Sequence, residues 1–135
     1  MRCNLYQNKL VKIFRLDNHK IIIKLISNKI DEDQLNDYHN VLLRIFENIY
    51  DDIHIIYDIK KFGFSLIKFM KKGTNFIKDN KSKFHHIKSY SIILTNRFFV
   101  KALNFFIRSK KNKTPFKFVS CLSEAKEFIS TIITL

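Results

Sequence analysis

Short β-prone runs alternate with helix-length amphipathic segments along most of this chain, and the alternation restricts how it can fold. Residues 53–59 and 90–95 are two such runs, rich in isoleucine, and each is flanked on both sides by a helical pattern. Strands that are joined by helices pair in parallel, because each helix returns the chain in a right-handed crossover. The sequence therefore predicts an α/β protein.

The beginning of the chain predicts an antiparallel hairpin at the edge of the sheet. Residues 10–16 and 20–27 are rich in Val, Ile and Leu, and Asp17-Asn18-His19 between them is typical of a turn. A further short strand is predicted at 115–121. We expect one mixed sheet of about five strands, in which the hairpin precedes parallel βαβ units, with four helices packed on it.

The predicted helices cover residues 31 to about 51, about 65–84, 97 to about 111 and 124 to about 133. Asp31 is a good N-cap for the first, Gln34 stands where a capping-box partner belongs, and Ser123 is expected to cap the last. Gly73 weakens the second helix by ~1 kcal/mol relative to alanine. The residues of the second helix that we expect to face inward are Leu66, Phe69, Met70, Phe76 and Ile77.

Length and composition favour a single domain that spans residues 1–135, with a core over about 9–133. The chain has only two glycines and one proline, so no flexible linker is expected. The two cysteines, Cys3 and Cys121, indicate a reducing, intracellular setting rather than a disulfide scaffold. No apolar run approaches the roughly 20 residues of a membrane span, and the N-terminus lacks a signal-peptide pattern. We therefore expect a soluble protein that stays inside the cell.

The order of these elements resembles that of the STAS domain of bacterial anti-sigma-factor antagonists. The segments that carry the resemblance are Ile55-Ile56-Tyr57-Asp58-Ile59, the run 90–97 and the segment 116–125 with its Ser-Glu-Ala helix start. The likeness covers about residues 9–133. It implies a protein-interaction module, and a broader group of similar domains binds lipids.

One feature of that family is altered in this chain. Anti-sigma-factor antagonists carry an Asp-Ser-Ser-Gly-like loop at the start of the second helix, where a serine is phosphorylated. Here the segment reads Lys60-Lys61-Phe62-Gly63-Phe64-Ser65-Leu66, without the acidic neighbour and the following glycine. Ser65 is therefore either a phosphorylation site at a helix N-terminus or a plain helix cap.

Positive charge is concentrated in the middle of the chain. The net charge is +13, from 25 basic and 12 acidic residues. Residues 60–117 hold 16 of the basic residues and one acidic residue, Asp79. An AT-rich codon bias is one explanation of the lysine excess, but such a bias acts along the whole chain and does not explain this segregation.

The third helix combines a basic face with many phenylalanines. Its basic face is predicted to comprise Arg97, Lys101, Asn104, Arg108 and Lys111, extended by Lys110 and Lys113. Such a face is either solvated without a partner or meets phosphate on nucleic acid or anionic lipid. The apolar residues are Phe98, Phe99, Leu103, Phe105 and Phe106. We expect them to be buried under neighbouring helices; the alternative is an exposed patch for another protein or a second copy of this chain.

Ligands of open α/β sheets bind beyond the carboxyl ends of the strands. The residues expected there are Asp58, Lys60, Thr95, Asn96, Ser120 and Cys121, with Ser65 nearby. Asp58 is a general base, a structural acid that repels phosphate, or a cap for backbone amides of the adjacent loop. There is no Cys–His pair, metal-ligand set or glycine-rich phosphate loop in the sequence, so we expect no enzyme, metal or cofactor.

Three functions therefore follow from the sequence. The first is a non-enzymatic STAS-like module that binds another protein or itself. The second is a basic module that binds nucleic acid or an anionic membrane through residues 60–117. The third is a carrier of a small lipid ligand.

Overall fold

Six strands form one sheet, and their spatial order is their order along the chain. They are β1 (Cys3–Gln7), β2 (Val11–Asp17), β3 (Lys20–Leu25), β4 (Ile53–Lys60), β5 (Ile87–Leu94) and β6 (Phe116–Val119). Strands β1 to β3 pair antiparallel, and β3 to β6 pair parallel. The computed structural model describes residues 2–27, 29–60, 64–108 and 114–133, with the side chains of 64–66 and 105–108 outside the description. The predicted α/β class and mixed sheet are confirmed, with one strand more than expected.

The additional strand is β1, which the sequence did not reveal. Four of its five residues are exposed, and only Tyr6 is half-buried. Backbone pairing with β2 holds it at the outer edge of the sheet. An outer strand that buries little apolar surface leaves no alternating pattern to recognise.

The four helices are α1 (Glu32–Glu47), α2 (Phe64–Asp79), α3 (Arg97–Arg108) and α4 (Leu122–Ile133). All four were predicted, but α1 ends at Glu47 rather than near Asp51. Helix α2 ends at Asp79 rather than near 84, because a short 3-10 turn follows at Lys81–Lys83. The predicted end of α3 at Lys111 lies outside the described residues.

The N-terminus of α1 confirms one predicted cap and corrects another. The Asp31 carboxylate accepts hydrogen bonds from the backbone N–H groups of Asp33 and Gln34, at 2.9 and 3.2 Å. Gln34 does not complete a capping box, because its Oε1 accepts from the Lys9 backbone N–H at 2.9 Å. This bond ties the start of α1 to the turn before β2.

The start of α4 also differs from the prediction. The helix begins at Leu122, so Ser123 lies in its first turn rather than at the cap. The Glu124 carboxylate accepts from the backbone N–H and the hydroxyl of Ser120, at 3.0 and 2.7 Å. The helix is therefore joined to the end of β6 by a carboxylate instead of a serine cap.

Helices α1, α2 and α3 cover one face of the sheet, and α4 lies on the other. Right-handed crossovers that all progress in one direction across a sheet place their helices on the same face. Phe46, Phe69 and Val100, one from each of these helices, belong to one large core. Ala125 and Ile129 of α4 belong to a second, smaller core, and α4 lies against β5 and β6. The two faces of the sheet are thus covered unequally.

Candidate functional site

A cavity of about 720 Å³ lies between α2 and the strands β5 and β6, on the face covered by three helices. Its lining is mainly aromatic and aliphatic. The strand residues that line it are Tyr57, Tyr90, Phe116 and Phe118, and the helical ones include Tyr38, Phe69, Met70, Gly73 and Ile77. The volume falls within the roughly 300–1,000 Å³ of small-molecule sites.

The inner side of α2 lacks a side chain at one position that borders the cavity. Phe69 and Met70 pack towards the sheet, and the next positions along the same side are Gly73 and Ile77. A Cβ atom placed on Gly73 would meet no heavy atom within 4 Å. Because this helical position has no side chain, the space beside it stays open.

Three tyrosines bring hydroxyl groups to this apolar space. Tyr38 stacks on Phe69 with ring centroids 5.7 Å apart, and Tyr57 stacks on Tyr90 at 6.3 Å. Burial raises the pKa of all three hydroxyls, so they are neutral and can donate hydrogen bonds at physiological pH. Among the described residues, the hydroxyl of Tyr90 has no hydrogen-bond partner.

The mouth of the cavity is basic. Lys78 and Lys81 line it and are both exposed to solvent. In the part of the chain that the structure describes, neither ammonium group has a carboxylate within 4 Å. The arrangement can hold an apolar molecule whose charged end is anionic. Sequence reasoning missed this site, and its one local signal was a glycine on the apolar side of a helix.

The predicted basic face of α3 is only partly a free surface. Arg97 and Lys101 are exposed. Asn104 is half-buried, and its amide binds the backbone N–H and C=O of Phe118 at 2.8 and 2.7 Å. The side chain of Arg108 is outside the description. Residues Lys110, Lys111 and Lys113 lie outside the described residues. Asn104 thus holds α3 to β6 and is not available to a partner.

Two phenylalanines of α3 contradict the expectation of burial. Phe98 is 86% exposed and Phe99 is 45% exposed, whereas Leu103 packs against the large core. The side chains of Phe105 and Phe106 lie outside those described. The exposed pair lies in the first turn of the helix.

In the folded structure, ion pairs neutralise part of the positive charge of residues 60–117. Lys68 and Lys72 of α2 both contact the Glu32 carboxylate of α1, at 2.9 and 2.7 Å, and Lys83 contacts Glu47 at 2.7 Å. The hydrogen bonds from Lys72 and then Lys68 lower the pKa of Glu32 to about 2. Acidic residues of the first half therefore neutralise lysines of residues 60–117.

The predicted strand-end residues come together only in part. Asp58, Lys60, Thr95, Ser120 and Cys121 line a second cavity, of about 380 Å³. Asn96 does not line it.

The two remaining strand-end residues, Asn96 and Ser65, lie at the starts of helices. The Asn96 side chain accepts from the N–H groups of Phe98 and Phe99 at 2.9 and 3.3 Å, so it caps α3. Ser65 lies in the first turn of α2, and its side chain is outside those described.

The end of β4 has an unusual backbone at Lys60. Its φ of 61° is left-handed, and its carbonyl accepts from the N–H and hydroxyl of Thr95 at 2.8 and 2.6 Å. These bonds join the Lys60 backbone to Thr95. The Lys60 ammonium lies 3.9 Å from the Asp58 carboxylate.

Comparison with protein-family models, with curated proteins and with solved structures found no match. The resemblance to STAS domains thus remains a prediction. Across the described ranges, no helix is both long and apolar enough to span a membrane, and no group of three metal-ligating side chains occurs.

Proposed function

We propose that this chain is a non-enzymatic binding module that holds a small amphipathic ligand, with an apolar body and an anionic end, in the cavity beside α2. The observation that supports this function best is the 720 Å³ space lined by tyrosine, phenylalanine and aliphatic side chains. Burying an apolar molecule there removes about 25 cal/mol of unfavourable hydration for each Å² of apolar surface. Of the three functions that the sequence suggests, the small-ligand carrier fits this geometry.

The polar groups of the cavity define which end of the ligand lies where. Lys78 and Lys81 lie at the mouth, so the anionic end is placed there and the apolar body points inwards. The Tyr90 hydroxyl lies among apolar groups and offers one hydrogen bond to an oxygen on the ligand. A single-chain fatty acid has these features.

The test is binding of a fluorescent fatty acid, cis-parinaric acid, combined with native mass spectrometry of the purified protein. Gly73→Leu places a branched side chain in the open space, and Gly73→Ala is its matched control, because a methyl group there meets no heavy atom within 4 Å. We expect the wild type and the alanine variant to bind alike, and the leucine variant to bind at least about tenfold more weakly. Lys78→Gln with Lys81→Gln should weaken binding of the acid but not of its methyl ester.

The proposal fails if the wild type does not bind the probe, or if a folded Gly73→Leu protein binds as tightly as Gly73→Ala. A circular dichroism spectrum that is unchanged between the two variants establishes that both are folded. A co-purified lipid in the native mass spectrum of the wild type, absent from Gly73→Leu, would add direct support.

A protein-interaction module is a second candidate, and the exposure of Phe98 favours it. This side chain is 86% exposed and lies between Arg97 and Lys101 on α3. Phe99 beside it is 45% exposed, and contiguous exposed apolar side chains are typical of a contact surface. If the chain associates with itself through α3, light scattering will show a dimer that Phe98→Ser dissociates; a monomer at all concentrations contradicts self-association.

Fewer observations support binding of nucleic acid or an anionic membrane through residues 60–117. Ion pairs with α1 neutralise several of its lysines, and Arg97 and Lys101 are the described, exposed cations of the predicted face. Salt-sensitive retention on DNA, RNA or phosphatidylserine vesicles, lost in Lys101→Glu, would support it.

A further inference from the structure

The face of the sheet that carries α4 is only partly covered. Helix α4 lies against β5 and β6, and the 380 Å³ cavity lies beside the start of this helix, over β2, β3 and β4. Its floor is apolar, with Phe14, Ile22 and Ile93. Its walls carry Arg2, Lys12, Lys24 and Lys60, which face one carboxylate, Asp58.

Strand register places several of these charges in one row. Lys12 is directly opposite Lys24 in the antiparallel pair of β2 and β3, and Lys24 is opposite Asp58 in the parallel pair of β3 and β4. Like charges directly opposite each other destabilise a sheet. The Lys12–Lys24 pair is therefore unfavourable, and only Lys24 has an acidic residue opposite it in the sheet.

Few acidic side chains neutralise the positive charge of these residues. Within the described ranges, Arg2, Lys12 and Lys24 have no carboxylate within 4 Å, and Asp58 contacts Lys60 at 3.9 Å. Four cations against one carboxylate leave an excess of three positive charges around the cavity. A bound anion would supply the missing negative charge.

An aromatic ring gathers two of the cations. The Arg2 guanidinium lies 4.9 Å from the centroid of the Phe14 ring, and the Lys12 ammonium lies 5.9 Å from the same centroid. Phe14 itself is 4% exposed. Cation–π attraction thus holds both charges over the floor of the cavity.

Asp58 gives the cavity a second recognition element. Its Oδ1 atom is buried and has no hydrogen-bond donor in the described structure, while Oδ2 contacts Lys60. A buried carboxylate that lacks donors is costly. A ligand that carries a hydroxyl group next to its anionic group provides a donor to the accessible part of this carboxylate.

We infer that this cavity binds the phosphate group of a small phosphate monoester that also carries a hydroxyl group. Arg2, Lys12, Lys24 and Lys60 contact the phosphate oxygens, and the hydroxyl donates to Asp58. The site lies on the opposite face of the sheet from the amphipathic-ligand cavity and does not depend on it.

The test is calorimetric titration with glycerol 3-phosphate, inorganic phosphate and glycerol at constant ionic strength. We expect glycerol 3-phosphate to bind more tightly than inorganic phosphate, and glycerol not to bind. In Lys12→Gln/Lys24→Gln, binding should weaken at least about tenfold, because charge-assisted hydrogen bonds are lost.

Two further variants sharpen the test. Lys71→Gln/Lys29→Gln changes the net charge equally at exposed positions outside the cavity, and it should bind like the wild type. Asp58→Asn should tighten binding of inorganic phosphate and reduce the preference for the ester. Vesicles that contain phosphatidylinositol 4-phosphate distinguish a lipid headgroup from a free ester as the source of the same chemistry.

The inference is overturned if the wild type binds none of these phosphates at millimolar concentration. It is also overturned if the control pair weakens binding as much as Lys12→Gln/Lys24→Gln does, because the effect would then be one of overall charge.

Discussion

Replacing His39 by phenylalanine is expected to remove much of the protein's loss of stability in mild acid. His39 lies on α1, is 7% exposed and stacks on Phe76 with ring centroids 4.4 Å apart and planes inclined by 10°. Its Nε2 atom is buried and has no hydrogen-bond partner in the described structure. Burial, and then the charge of Lys72, lower the pKa of His39 from 6.5 to about 4. The folded protein therefore favours the neutral ring.

The sign of the effect follows from proton linkage. The unfolded chain takes up a proton at His39 near pH 6.5, whereas the folded chain does so only near pH 4. The contribution of His39 to stability is complete above pH 6.5 and is lost as the pH falls towards 4. The shift amounts to about 3 kcal/mol in total, of which about 2 kcal/mol is lost between about pH 8 and about pH 5.

Urea unfolding of the wild type and of His39→Phe at these two pH values measures this contribution. We expect the free energy of unfolding of the wild type to fall by about 2 kcal/mol more than that of the variant. His54, whose pKa is also lowered by burial, is present in both proteins and cancels in the comparison. Equal losses of stability in the two proteins would refute the assignment of a buried neutral ring to His39.

Three other substitutions test local features of the fold by thermal or urea unfolding. Gly73→Ala should stabilise α2 by about 1 kcal/mol, or about 3–4 °C, because alanine favours helix and its methyl group meets open space; a loss of stability would contradict that open space. Asp31→Ala should destabilise by about 1 kcal/mol through loss of the α1 cap, and an unchanged midpoint would show that the cap contributes nothing. Asn104→Leu should destabilise by about 2 kcal/mol, since it leaves the Phe118 backbone without partners; a neutral effect would mean that α3 does not depend on this contact.

Local patterns were enough to predict most elements of the fold. The isoleucine-rich strand β4 and the Asp31 cap of α1 each depend on residues that are at most a few positions apart in the sequence. Strand β1 was missed for the same reason, because an exposed outer strand is held by hydrogen bonds to β2 and not by a pattern of its own.

The candidate sites were predicted only where a general rule of topology applies. The rule that ligands bind at the carboxyl ends of strands nominated Asp58 and Lys60, and both residues line the smaller cavity. The same rule did not identify Lys12 or Lys24. These lysines line the cavity because α4 covers β5 and β6 and leaves β2 and β3 uncovered. The larger cavity was missed because the sequence shows Gly73 only as an unfavourable helix position and does not show that it borders open space.

By itself, the sequence determined most of the strands and helices and the α/β class, since side-chain periodicity and helix hydrogen bonds act over a few neighbouring residues. Only the tertiary structure decided which charges are neutralised and where space is left between elements. The ion pairs of Glu32 with Lys72 and of Glu47 with Lys83 join residues 40 and 36 positions apart. Electrostatic and packing energies depend on distances in space, and these distances are determined by how the helices pack on the sheet.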